Sequence, residues 1–211
     1  MRQSLVRALA LLSAFAPAAP ALAHPHVWIS AKAAIVYTPD GRVEAVAHEW
    51  TFDKAYSSFA VQGLESGGDG RIAKDKLAEL AKTNVESLAE FGFFTQGKAN
   101  GSKLTFGGPR DYELVHRDGA LTLRFVLPLA APAKADRAFA LDLYDPTFFV
   151  DFRLTDGPDA VRLVGAPAGC ALNVGRPKPA DAPDPSLSET FWAGVQNAGA
   201  RFSNRVLVAC P

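Results

Sequence analysis

The chain has 211 residues, with 22 basic against 22 acidic side chains, four histidines and two cysteines, so its formal charge at neutral pH is zero. That balance disfavours nucleic-acid binding, which needs an excess of lysine and arginine. Beyond the first 23 residues, no apolar run approaches the roughly 18 residues of a membrane-spanning helix.

Residues 1–23 read as a secretory signal. Arg2 and Arg7 form the charged start, Ala8 to Phe15 the apolar middle, and Ala21-Leu22-Ala23 a small-residue cleavage site. The remainder, 24–211, is expected to be a single periplasmic domain, slightly acidic once the two leader arginines are gone and not inserted in the membrane. His24 would be its first residue.

Val27 to Tyr37 and Val43 to Phe52 suit strands, and Thr38-Pro39-Asp40-Gly41 between them is a turn signal. If Thr38 faces Arg42, the hairpin pairs Lys32 with His48, Ser30 with Trp50 and Trp28 with Phe52, and its open end holds His26 and Asp53. A slip of one residue would turn every side chain to the other face, so a shared end is expected but a shared face is not. Asp53 also suits the cap of a short turn over Lys54 to Phe59.

Asp69 to Phe91 carries Ile72, Leu77, Leu80, Ala81, Val85 and Leu88 near helical spacing, which predicts an amphipathic helix starting near Arg71 to Lys74 and ending at Phe91-Gly92. Strand signals follow at Lys103–Phe106, Tyr112–His116, Leu121–Leu127, Ala138–Tyr144, Phe148–Leu154 and Val161–Val164, with Arg117-Asp118-Gly119 as a hairpin turn. Asn100-Gly101-Ser102 reads as a turn despite matching a glycosylation acceptor. Arg176 to Pro185, with four prolines, is a surface loop; Ser186 to Phe202 is a candidate helix before a last strand at Arg205–Ala209. The expected fold is α+β: an antiparallel sheet system in one layer or two, with one main helix packed on it. Cys170 and Cys210, an even pair in an exported chain, are expected to form a disulfide that ties the C-terminal segment down.

The chemistry-bearing side chains gather in three places: His24 and His26, then His48, Glu49 and Asp53, then Asp145 and Asp151 around Pro146-Thr147-Phe148-Phe149-Val150. Imidazole and carboxylate together suit zinc, nickel, cobalt or copper. Pro25 has no amide N–H, which removes the square-planar chelate that an N-terminal His-at-three motif would make. Chelation through the amine and ring of His24, helped by His26, His48, Asp53 or Asp151, stays open. So do bland readings: His48 as a hydrogen-bonded strand residue, Asp145 as a turn former, and Asp151 as a buried carboxylate in need of a partner. Glu65 to Lys76 resembles a calcium loop but has Gly67 and Lys76 at decisive ligand positions. No nucleophile elbow, phosphate loop or paired-cysteine motif occurs, and a non-enzymatic protein is expected.

Four stretches carry a resemblance: His24-Pro25-His26-Val27-Trp28-Ile29; Trp50-Thr51-Phe52-Asp53 with Tyr56-Ser57; Phe91-Gly92-Phe93-Phe94-Thr95; and Tyr144-Asp145-Pro146-Thr147-Phe148-Phe149-Val150. Together they resemble a family of bacterial periplasmic proteins of unknown function, described as the periplasmic component of an uncharacterised ABC-type transport system. Its members tend to be encoded beside, or fused to, nickel/cobalt-type permeases. The resemblance implies an accessory protein that binds zinc, nickel or cobalt for a membrane metal permease or ABC-type transporter. The Glu65–Lys76 loop is less acidic than in that family, and Phe148-Phe149 stand where tyrosine is common. Two rival readings are a metal-independent envelope interaction module anchored by Trp28, Trp50 and Phe148-Phe149, and a copper enzyme built on the terminal histidine.

Overall fold

The computed structural model describes residues 25–64, 71–177 and 194–211. The predicted signal, His24, residues 65–70 of the calcium-like loop, all but the start of the proline-rich loop and the first half of the Ser186–Phe202 helix lie outside them. Within them the chain runs β1 (Val27–Tyr37), β2 (Val43–Phe52), α1 (Lys54–Ala60), α2 (Lys74–Leu88), β3 (Thr95–Ala99), β4 (Ser102–Lys103) and β5 (Arg110–Arg117). It continues through β6 (Ala120–Ala133), β7 (Phe139–Leu143), β8 (Val150–Leu154), β9 (Val161–Val164), β10 (Ala171–Gly175) and β11 (Asn204–Ala209).

The strands form two sheets. One has the order β5-β6-β2-β1-β8, with β9 also paired to β1, and the other β10-β11-β7-β3-β4. A single apolar core joins them: Trp50, Leu123 and Phe125 from the first meet Phe139, Leu141 and Val208 from the second. The fold is therefore mostly β, two-layered, with one main helix. It departs from a wholly antiparallel arrangement at one place, because β8 and then β9 both run parallel to β1. That geometry needs a crossover between distant segments, which local pattern does not announce.

The predicted hairpin forms, but its register slips. Thr38 and Arg42 face each other, and Tyr37 pairs with Val43 as the turn requires. The next pair is Val36 with Ala45, so Glu44 is an extra residue, a β-bulge. Below it Ala33 faces His48, Ala31 faces Trp50 and Ile29 faces Phe52. The expected pairs of Lys32 with His48, Ser30 with Trp50 and Trp28 with Phe52 are thus corrected by one position. Lys32 instead meets Glu49, at 3.0 Å, while His48 and Trp50 point into the core.

The helix α2 buries Ala81 and Val85 and half-buries Leu77, Leu80 and Leu88, the stripe that its spacing predicts. A 3-10 run over Ala89–Phe94 follows it, and Gly92 adopts φ 57° there. Glycine permits that left-handed turn at little cost, but Phe93 and Phe94 share it, at φ 53° and 49°. Two strands had no sequence signal, β3 (Thr-Gln-Gly-Lys-Ala) and β10. The expected strand at Lys103–Phe106 is reduced to β4 and a lone bridge from Phe106 to Leu129. Residues 198–202 of the predicted C-terminal helix form a 3-10 turn.

The Cys170–Cys210 disulfide is present and links the residues flanking the β10–β11 pair, where Ala171 faces Ala209. Asn204, at the start of β11, joins the two sheets: its amide donates to the Phe152 carbonyl (2.7 Å) and its carbonyl accepts from Leu154 N–H (3.1 Å).

Candidate functional site

Residues 53–57 close the open end of the hairpin. Asp53 is the N-cap of α1, one carboxylate oxygen accepting from Tyr56 N–H (2.9 Å) and the other from Trp28 N–H (3.0 Å). Its own N–H donates to the Trp28 carbonyl. One carboxylate thus locks a helix start to the beginning of β1, the modest structural role that its position suggested. Ser57, fully buried, extends the clamp by donating to the Asp53 carbonyl (2.7 Å) and accepting from Leu121 N–H (2.9 Å).

His26 precedes β1 and is exposed. Its backbone N–H donates to the Phe149 carbonyl (2.9 Å), and its ring stacks on the Phe149 ring with centroids 4.7 Å apart. His26 is thus an exposed imidazole held against the Phe149 ring. His26 and Asp53 do share one end of the hairpin, as expected.

His48 lies elsewhere, in the aromatic core. It stacks on Phe125 at 4.8 Å and meets the edge of Trp50 at 5.3 Å. Its Nε2 reaches the Thr95 hydroxyl at 3.3 Å, while Nδ1 has no hydrogen-bond partner among the described residues. Burial disfavours the imidazolium and drives its pKa from 6.5 down to about 3. An unfolded chain protonates His48 near 6.5 and the folded one does not, so its contribution is whole above 6.5 and is lost as pH falls toward 3. At pH 5 the loss should be about 2 kcal/mol. Unfolding free energies of wild type and His48→Phe from urea titrations, compared between pH 7 and pH 5, should diverge by that amount. Parallel profiles would show that His48 titrates normally in the fold.

Asp151 is also buried. Arg153 Nε contacts one of its oxygens at 2.9 Å, and the other has no partner among the described residues. Desolvation raises its pKa despite the arginine. Asp151 is in register with Trp28 across the parallel β1–β8 pair, so it lies beside the hairpin end but is committed to an ion pair. Among the described residues no three His, Cys, Asp or Glu side chains are grouped to hold a metal ion. His24 lies outside them.

Phe149, the ring on which His26 stacks, lines an apolar pocket of about 370 Å³. Val27 and Ile29 of β1, Trp50 and Phe52 of β2 and Tyr56 of α1 line it. So do Phe91 and Phe94, with Thr147, Phe149 and Val150, the last beside Val27 in the β1–β8 register. Each of the four stretches that carry the family resemblance therefore contributes to one pocket. Asp145 lines it as a buried carboxylate, accepting from Thr147 N–H (2.8 Å), the Thr147 hydroxyl (2.9 Å) and Val150 N–H (2.9 Å). Phe94 and Phe148, on the two loops that bound the pocket, hold left-handed backbone that phenylalanine rarely adopts, a strain of order 1–3 kcal/mol each. Asp145 is the turn former that the blander of its two sequence readings describes. Its place in a pocket depends on chain segments 50 or more residues apart, and only their joint appearance in the resemblance pointed to it.

Of the aromatic side chains offered as partner anchors, Trp50 and Phe148 are buried, whereas Trp28 and Phe149 are 48% and 45% exposed.

The chain belongs to a protein family of unknown function, DUF1007, whose pattern it matches over residues 9–210. It is also similar to an uncharacterised 15.5 kDa protein from the trpE 3' region of Spirochaeta aurantia, with 29% identity over 110 residues, covering 52% of this chain and 79% of that protein. No solved structure matches it.

Proposed function

We propose that this DUF1007 protein is an exported, non-catalytic carrier that binds zinc, nickel or cobalt and delivers it to, or buffers it for, a membrane permease or ABC-type transporter. The observation that supports this reading most is the exposed imidazole of His26, fixed against Phe149, which lines the pocket where the four resembling stretches meet. Two residues before it stands His24, which after cleavage would add an amine and a second imidazole. Neutral nitrogen donors of this kind suit all three metals.

The remaining candidates rank by what binding would cost. Asp53 lies at the same end, and each of its oxygens accepts one hydrogen bond, leaving lone pairs for a cation. Asp151 would have to leave Arg153. His48 would require the aromatic core to open, so His24 and His26 are the principal ligands and Asp53 the first auxiliary.

Calorimetric titration of protein processed to begin at His24 should give a Kd below about 1 µM for at least one of the three ions. His26→Ala should weaken it by roughly 100-fold or more, and affinity should weaken as the pH is lowered, because metal and protons compete for the same ring nitrogens. Binding weaker than micromolar for every ion, or unchanged in His24→Ala/His26→Ala, would overturn the reading. The exposed Trp28 and Phe149 favour one alternative, an envelope interaction module; partner capture insensitive to chelator would select it.

A further inference from the structure

We propose that the pocket lined by Phe149 is a binding site for a small organic cation, an ammonium group carrying an alkyl or aryl tail. The volume, about 370 Å³, is that of a site for a small molecule rather than a packing flaw. Its walls are largely ring carbon. Phe52 stacks on Tyr56 at 4.9 Å, and Phe91 on Phe94 at 5.5 Å, so two aromatic pairs line the pocket. Such walls favour an apolar tail, and the negative faces of aromatic rings attract a desolvated cation.

The charge decides the class. Asp145 is 3% exposed and is the one carboxylate in the lining, which contains no lysine, arginine or histidine. It has no ion pair among the described residues. Two N–H groups and a hydroxyl hold its oxygens in place, all of them neutral donors, and among the described residues no cationic side chain reaches it. An anionic guest would add a second charge of the same sign. A neutral apolar guest would fill the space and leave the carboxylate uncompensated. A cation with an apolar tail meets both conditions at once.

The ligand class is independent of the metal reading and is tested with chelator present. Calorimetry and the fluorescence of Trp50, which lines the pocket, would follow titration of the full protein with n-hexylammonium, hexan-1-ol and hexanoate. Hexylammonium should saturate the protein and bind at least about tenfold more tightly than hexanol, with hexanoate weakest. Asp145→Asn should bring the ammonium down to the level of the alcohol. Ser87→Phe, on the exposed pocket side of α2, should abolish binding of all three by filling the space. Equal affinity for ammonium and alcohol, no saturation below about 10 mM, or binding that survives Ser87→Phe would overturn the proposal. The wild-type comparison and Ser87→Phe decide the matter even if Asp145→Asn does not fold.

Discussion

Gly199→Ala is expected to destabilise the protein by more than about 4 kcal/mol, the range of a backbone collision that cannot relax. Gly199 lies in the 3-10 turn Ala198–Phe202, and its N–H donates to the Pro146 carbonyl (3.1 Å). A Cβ there would strike the Asp145 carbonyl group, with Phe148 N a further 3.4 Å contact. Both obstacles are backbone, so neither can swing aside as a flexible side chain would. On either side of Gly199 the turn is packed: Ala198 and Phe202 form a small buried cluster with Phe148, whose ring lies 4.1 Å from that of Phe202. The C-terminal turn thus presses on the loop that presents Asp145, Thr147 and Phe149, and the substitution should damage the pocket together with the fold. Chemical denaturation of Gly199→Ala beside Gly194→Ala tests this, because nothing lies within 4 Å of a Cβ at Gly194. The control should stay within about 0.5 kcal/mol of wild type. Equal effects at the two positions would mean that the turn does not sit on the 145–150 loop.

Removing the disulfide by Cys170→Ser/Cys210→Ser should cost about 4 kcal/mol, since the bridge closes a loop between residues 40 apart and so restricts the unfolded chain. For a domain of this size that corresponds to a fall of about 10 °C in the melting temperature. The loss should be local in its functional effect. β10 and β11 belong to the second sheet, whereas His26 and most of the pocket strands belong to the first. Melting with and without reductant, followed by metal and ligand titration below the new midpoint, checks both halves. An unchanged melting temperature would remove the bridge as a stabilising element, and lost binding in a folded variant would show that the two sheets are coupled.

Much of the framework could be read from residue pattern because it is local. The hairpin, its turn at Thr38–Arg42, the stripe on α2 and the final strand each rest on neighbours within a few positions. What escaped depends on distant contacts. Thr95–Ala99 has almost no β propensity and is a strand because β7 lies beside it; β8 joins β1 in parallel after a long excursion. Glu44 has nothing in its sequence context that marks a bulge, yet it decides that His48 is a core residue and Glu49 a surface one. The candidate site divides in the same way. Asp53 and His26 were placed at one end by counting along the hairpin, while the pocket wall at Phe91, Phe94 and Asp145 needed the tertiary fold. His24, the residue that the metal proposal needs most, lies outside the described chain.

The bulge has a consequence for how this family can tolerate length changes. Deleting Glu44 would remove no core contact of its own, and on a surface loop such a loss would be mild. In β2 it would reset the count between the fixed turn and everything beyond it. Glu49 and Thr51 would then rotate toward the sandwich interior while Val46, His48 and Trp50, now 0%, 3% and 0% exposed, rotated out to water. A single missing residue at position 44 would therefore turn β2 inside out, so insertions and deletions in this strand should be far less tolerable than substitutions.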